Sequence, residues 1–245
     1  MLNNFLNFYS NRSLPNYFIK KHKVFYNQNL NLYMGYCEFE FKEFDIQMFK
    51  QMSIFFPDSL NPCTVKRKSE FLAGRYASQL VLSAIKKDYS NQKVEIGKFK
   101  EPIFPLSIIG SITHSENIAI CIATQSKNVN FLGIDIEPII NKLDFLALHD
   151  KIYTYQELKI IKNLGIDYFL AATCIFSAKE TIFKAFFYYL QNKIDFNNFK
   201  LYRTYTRGNT IIMKFHLEKE YSTFRKEILV KAKIHKKHVI TYLIN

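Results

Sequence analysis

The sequence predicts mixed α and β structure arranged as two related halves. Three observations predict it. Apolar residues recur at helical spacing over roughly Thr64–Lys87 and again over roughly Tyr168–Leu190. Apolar runs of strand length lie between and after them, at Ile118–Ala123, Phe131–Glu137 and Val239–Ile244. The runs Asn117–Ala123 and His238–Ile244 are similar strands, each late in its half, and the halves join near Ser126–Asn130.

Each element has its own signal. Ser, Pro and Asn break up the chain around Phe56–Pro62. In the first helix Leu72, Tyr76, Leu80 and Ala84 form one stripe, with Ala73, Ala77 and Val81 beside it. Gly74 inside that helix costs about 1 kcal/mol relative to Ala, and it suggests close approach of another backbone. Gly97-Lys98-Phe99-Lys100-Glu101-Pro102 reads as a loop. Gln125–Asn130 is a polar connector, and Pro138 stops the strand before it. Thr154-x-x-Glu157 is a capping box that opens a helix toward Lys162. From Asn198 onward the alternation is that of strands.

Composition narrows the class. The chain has 245 residues, enough for one large or two small domains, and is 48% apolar. No apolar run is long enough to span a bilayer. Met1–Asn11 lacks the early positive charge of a secretory signal. The four cysteines, Cys37, Cys63, Cys121 and Cys174, are widely spaced and form no Cys-x-x-Cys pair. That spacing suggests neither a zinc site nor a disulfide framework, and an intracellular, reduced protein is the simplest reading. Net charge is +13, from 34 basic and 21 acidic side chains. Such a surface favours anionic partners. The richness in Asn, Ile, Phe and Tyr is a bias that would also inflate lysine, so charge alone names no partner.

Two acidic segments carry the chemistry. In Gly133-Ile134-Asp135-Ile136-Glu137 the alternation of a strand puts both carboxylates on one face, roughly 7 Å apart, with Ile134 and Ile136 facing a core. Two such carboxylates repel unless a cation lies between them, and magnesium suits the arrangement. A solvent-facing strand end before Pro138 accounts for the same residues. In the second segment, Phe176–Lys184, Glu180 and Lys184 are neighbours at four-residue spacing. Their surroundings, Phe176, Ile182, Phe183, Phe186 and Phe187, are strongly apolar. Charges such as Lys179, Glu180 and Lys184 on an apolar helix tend to be paired or functional, and cations there suit a diphosphate whose charge grows as its bond breaks. Gly110-Ser111-Ile112-Thr113-His114-Ser115 fits a phosphate cradle or a plain turn. Arg67 and Arg75 fit phosphate oxygens or a solvated helix start beside Lys66 and Lys68. Lys231–Lys237 reads as a solvated basic strand face.

Taken in order, these segments resemble the motifs of the larger, Sfp-type 4′-phosphopantetheinyl transferases, especially the enterobactin-synthase-associated group. The family's first motif ends in Gly-Ser-x-Ser/Thr-His, matched by Gly110, Ser111, Thr113 and His114. Its second, Gly-Ile/Val-Asp-x-Glu, is matched by Gly133, Asp135 and Glu137. Its third, Trp/Phe-Ser-x-Lys-Glu-x-x-x-Lys, is matched by Phe176, Ser177, Lys179, Glu180 and Lys184. The helix Arg67–Arg75 also resembles that group. The matches run from about Lys66 to Lys184. The chain departs at Phe104-Pro105-Leu106-Ser107, where the family often has Trp-Pro-x-Gly.

The resemblance implies an α+β pseudo-dimer of two similar subdomains with the active site at their interface. Residues 1–126 would form the half that contacts the coenzyme A nucleotide and phosphates, and residues 127–245 the half with the Mg-binding and catalytic motifs. The implied reaction moves phosphopantetheine from coenzyme A to a serine of an apo acyl or peptidyl carrier protein and releases adenosine 3′,5′-bisphosphate. Asp135, Glu137 and Glu180 would hold Mg²⁺. Asp135, Glu180 and Lys184 would be catalytic, with Lys184 also on the diphosphate. Arg67, Arg75, Lys100, Thr113, His114 and Lys179 would hold coenzyme A. A cytoplasmic monomer without nucleic acid or membrane partners completes the expectation. The rivals are a Mg²⁺-dependent nuclease, disfavoured because Lys-Glu-x-x-x-Lys is helical here, and a basic nucleic-acid-binding module, which needs no acidic triad.

Overall fold

The computed structural model describes residues 6–8, 14–86, 92–149, 151–190, 195–217 and 227–245, with backbone alone at 6–8, 188 and 190. Lys87, the expected end of the first helix, and most of Met1–Asn11 lie outside the described residues. The chain forms two compact units, Leu2–Asn130 and Phe131–Asn245.

The first unit contains β1 (Leu6–Phe8), β2 (Ile19–Asn27), β3 (Leu32–Phe39), the one-turn α1 (Met48–Gln51), α2 (Val65–Ile85), β4 (Glu95–Ile96), β5 (Pro102–Ile103), β6 (Ile109–Ser115) and β7 (Ile118–Thr124). Its main sheet runs β1-β2-β3-β7-β6, antiparallel throughout. Thr64 caps α2 by accepting from the Arg67 amide at 3.2 Å. The stripe Leu72, Tyr76, Leu80 and Val81 then packs with Cys37, Ala119, Cys121 and Ala123 of the sheet. Gly74 meets a side chain and not a backbone: a Cβ there would lie 3.1 Å from Ile112 Cγ2.

The second unit contains β8 (Leu132–Pro138), α3 (Lys142–Leu148), α4 (Tyr155–Lys162), α5 (Tyr168–Leu190), β9 (Phe199–Arg207), β10 (Thr210–Leu217), β11 (Ile228–His235) and β12 (His238–Ile244). The sheet order is β8-β12-β11-β10-β9, again antiparallel. Pro138 ends β8 on the sheet edge, where a missing N–H is tolerated. Both hydrogen bonds of the Thr154–Glu157 capping box are present at the start of α4. Ile175, Ala178, Ile182 and Phe186 of α5 share a core with Val230, Ala232, Val239 and Leu243. Among the described residues no helix is long and apolar enough to cross a membrane.

The two units repeat one plan. A strand (β3 or β8) leads to a long helix (α2 or α5), and the unit closes with a hairpin (β6–β7 or β11–β12) whose last strand pairs with the first. Both hairpins turn in two residues, with Glu116 at φ 50° and Lys236 at φ 55°. Both first strands carry a glycine under the helix backbone. A Cβ at Gly35 would lie 2.5 Å from the Ala77 carbonyl oxygen, and one at Gly133 would lie 2.2 Å from that of Thr181. Only glycine lets strand and helix backbones approach so closely.

Gly110–Ser115 is neither a cradle nor a turn. It is most of β6, laddered against β7 from Gly110↔Ala123 to Ser115↔Ile118. β6 is the edge strand of its sheet, so alternate backbone groups are committed to that ladder and the others lie on its open side.

Candidate active site

Close contact between Gly133 and α5 fixes which face of β8 the helix covers, and alternation puts Asp135 and Glu137 on that face. Ile134 and Ile136 are buried on the other face, outside the core that β8 shares with α5. The sequence expectation that they face a core holds. It missed that the carboxylate face is the one the helix covers.

On α5, Ser177, Thr181 and Lys184 follow one another at spacings of four and three and so share a face. Lys184 Nζ stands 2.6 Å from Asp135 Oδ1. Ser177 Oγ donates to Asp135 Oδ2 at 2.8 Å. Asp135 is almost fully buried, while the Lys184 side chain remains 28% exposed. Glu180 lies one turn before Lys184, and Asp135 and Lys184 both act on it electrostatically.

The electrostatics is that of too many carboxylates for one lysine. Burial, with Asp135 and Glu180 adding to it, holds Glu137 up to about 8, although Lys184 pulls the other way. Burial also raises Glu180, against Lys184 and with Asp135. For Lys184 burial favours the neutral amine, but attraction by Asp135, Glu180 and Glu137 outweighs it and the ammonium is held above its usual range. Among the described residues no three His, Cys, Asp or Glu side chains converge as a metal-holding group.

Lys179 does not join this group, contrary to its expected place against coenzyme A. Its side chain is fully buried and its Nζ bonds Glu157, at 2.9 Å to Oε1 and 3.0 Å to Oε2. It also donates to the Ile152 carbonyl at 2.6 Å. Glu157 Oε1 accepts from the Leu201 amide as well. Lys179 therefore braces α5 to α4 and β9 inside the second unit.

The sequence reading also missed Thr241. It is the register partner of Asp135 across β12 and β8, and its Oγ1 lies 2.8 Å from Ser177 Oγ. The one signal was a threonine in the middle of an otherwise apolar strand.

In the first unit, Arg67, Arg75, Lys100 and His114 all line one cleft of about 180 Å³. Arg67 Nη1 and His114 Nε2 are 2.8 Å apart, and Glu70 lies beside both, at 3.9 and 3.7 Å. Arg75 lies over the Phe71 ring and donates to the Glu95 carbonyl at 3.2 Å. Its Nε is buried with no hydrogen-bond partner, and burial lowers its guanidinium to about 10. A cation so desolvated favours an anionic ligand. Thr113 is not in the cleft. Alternation along β6 turns it to the opposite face from His114, where it is buried. A second cleft of about 540 Å³ adjoins, sharing Ser59, Phe71, Arg75 and Ile96 with the first.

Comparison with known proteins places this geometry. Residues 57–124 match the model of the 4′-phosphopantetheinyl transferase N-terminal domain. Residues 131–243 match that of the 4′-phosphopantetheinyl transferase superfamily. The chain belongs to the 4′-phosphopantetheinyl transferase superfamily. Within it the chain is similar to enterobactin synthase component D of Escherichia coli K12, 36% identical over 121 residues, which cover 49% of this chain and 55% of that protein. The protein of the same name from Salmonella typhi is 32% identical over 129 residues, 53% of this chain and 52% of that one. The one from Salmonella typhimurium is 30% identical over 147 residues, 59% and 60%. The chain thus spans about half the length of the relatives it matches. The transferase N-terminal match contains the Arg67–His114 cleft, and the superfamily match contains the acidic group.

Proposed function

We propose that this protein transfers 4′-phosphopantetheine from coenzyme A to a serine of an apo carrier protein, with Mg²⁺, and releases adenosine 3′,5′-bisphosphate. The observation that carries the reading is the Asp135–Lys184 pair, 2.6 Å apart, with Asp135 buried and with Glu137 and Glu180 near enough to act on both. It lies within the part of the chain that matches the transferase superfamily. The donor types suit a hard divalent cation: Asp135, Glu137 and Glu180 act on one another without converging as a metal-holding group, and the crowding that lifts Glu137 to about 8 is what a divalent charge relieves. Asp135, Glu137 and Glu180 are the residues that would hold it. Magnesium bound there supplies positive charge to the diphosphate oxygens.

The protein's own groups account for the rest. The carrier serine oxygen forms a bond to the phosphorus that bears pantetheine, and the bond from that phosphorus to the bridging oxygen breaks. Lys184 binds the diphosphate and balances the charge that collects on the leaving phosphate. Glu180 takes the serine proton. Arg67, Arg75, Lys100 and His114 hold the nucleotide phosphates. The net charge of +13 suits both polyanionic coenzyme A and an acidic carrier. In this reading the protein acts in the cytoplasm, as a monomer. Similarity to proteins named as components of an enterobactin synthase makes a siderophore-type peptidyl carrier the first acceptor to try.

The test is direct. The protein is incubated with Mg²⁺, coenzyme A and apo carriers of the peptidyl and acyl types, and each carrier is weighed by mass spectrometry. A phosphopantetheine adduct supports the reading. Its absence from every carrier refutes it.

A further inference from the structure

We propose that Thr241 is a positioning residue for Asp135, acting through Ser177; the proposal rests on the transferase reading above. Asp135, Ser177, Thr181 and Thr241 are all buried, the last three fully. Ser177 Oγ is 2.8 Å from Asp135 Oδ2. Thr241 Oγ1 is 2.8 Å from Ser177 Oγ and 2.8 Å from the Ser177 carbonyl oxygen. Thr181 Oγ1 is 2.6 Å from Thr241 Oγ1.

Each hydroxyl has one hydrogen to give, which sets the direction of the chain. The carboxylate only accepts, so the Ser177 proton goes to Oδ2. Thr241 then gives its one hydrogen to Ser177, whose carbonyl oxygen and Oγ stand equally near Thr241 Oγ1, and Thr181 gives its own to Thr241, at Oγ1 or at the carbonyl oxygen. The chain ends on Oδ2 and leaves Oδ1 as the oxygen that faces a cation, the role Lys184 fills at 2.6 Å. A carboxylate held at one oxygen is restrained in rotation, so its other oxygen is presented ready-made. Thr241 comes from the last strand of the unit and lies directly across from Asp135 in the β12–β8 register. That pairing sets the hydroxyl where Ser177 needs an anchor.

Thr241→Val removes the hydroxyl and keeps the shape, and Thr241→Ser keeps the hydroxyl. Both are compared with wild type for Mn²⁺ binding, by electron paramagnetic resonance with coenzyme A present, and for the Mg²⁺ dependence of carrier modification. Folding is checked by circular dichroism. Thr241→Val is expected to weaken Mn²⁺ binding about three- to tenfold and to raise the half-saturating Mg²⁺ concentration by a similar factor, with the change in that constant and not in the maximal rate. Thr241→Ser is expected to restore both. A folded Thr241→Val with wild-type Mn²⁺ binding overturns the proposal, and so does a Thr241→Ser as defective as the valine variant. If Thr241→Val does not fold, Ser177→Ala is titrated with Mn²⁺ in the same way, and wild-type binding there overturns it equally. A wild-type protein that binds Mn²⁺ but modifies no carrier refutes the transferase reading instead, and the Mn²⁺ titrations still decide the role of Thr241.

Discussion

Replacing Lys179 with methionine tests whether this lysine is a brace. The substitution keeps length and apolar volume but removes the ammonium. Glu157, 3% exposed, is left with the Leu201 and Thr154 amides and no cation, while the Ile152 carbonyl loses the donor that stood 2.6 Å away. Breaking a buried ion pair from one side costs about 3–5 kcal/mol, because the remaining charge stays buried. At about 4 °C per kcal/mol for a unit of this size, Tm falls by about 12–20 °C. In urea, with a slope of about 2 kcal/mol/M, the midpoint falls by about 2 M. The double variant Lys179→Met, Glu157→Gln has no charge to strand but keeps an oxygen for only one of the two amides, which donate to different oxygens of Glu157, so it should recover part of the loss. Urea unfolding followed by circular dichroism gives both numbers. A single variant that loses less than about 1 kcal/mol, or a double variant no better than the single, refutes the account of Lys179 as a brace.

Lys184→Met should lower the transfer rate about 100-fold or more by mass-spectrometric assay, and a rate within threefold of wild type removes Lys184 from the chemistry. Glu137→Gln should stabilise the protein in a chelator at pH 8 by about 1–2 kcal/mol, and by much less at pH 5. The sign follows from the raised pKa. The folded state keeps the proton up to about 8 while the unfolded state releases it near the ordinary value, so wild-type stability falls as pH rises between them; melting curves at the two pH values check this. Gly133→Ala should cost about 2–4 kcal/mol, since its Cβ would sit 2.2 Å from the Thr181 carbonyl oxygen, and a melting temperature within 3 °C of wild type contradicts that packing. Arg75→Lys should raise the KM for coenzyme A about tenfold, because lysine replaces a planar fork with a point charge, and an unchanged KM removes Arg75 from the nucleotide cleft.

The sequence by itself determined the elements whose causes are local. Thr64 and the Thr154–Glu157 box start helices by accepting amide hydrogen bonds within three residues, and both starts were legible. Alternation placed Asp135 and Glu137 on one face, and i,i+4 spacing placed Glu180 beside Lys184. Other features depended on packing. Lys179 and Lys184 lie five residues apart, about 140° around the helix. Periodicity separates them but does not say which one faces α4 and which faces β8. Gly110–Ser115 reads as a turn until β7 pairs with it. Thr241 lies more than a hundred residues from Asp135, and only the β12–β8 ladder brings its hydroxyl to Ser177. The identities of the charged groups were written in the chain. Their partners were decided by strand register and helix rotation, because a buried charge takes whichever partner the packing brings within reach.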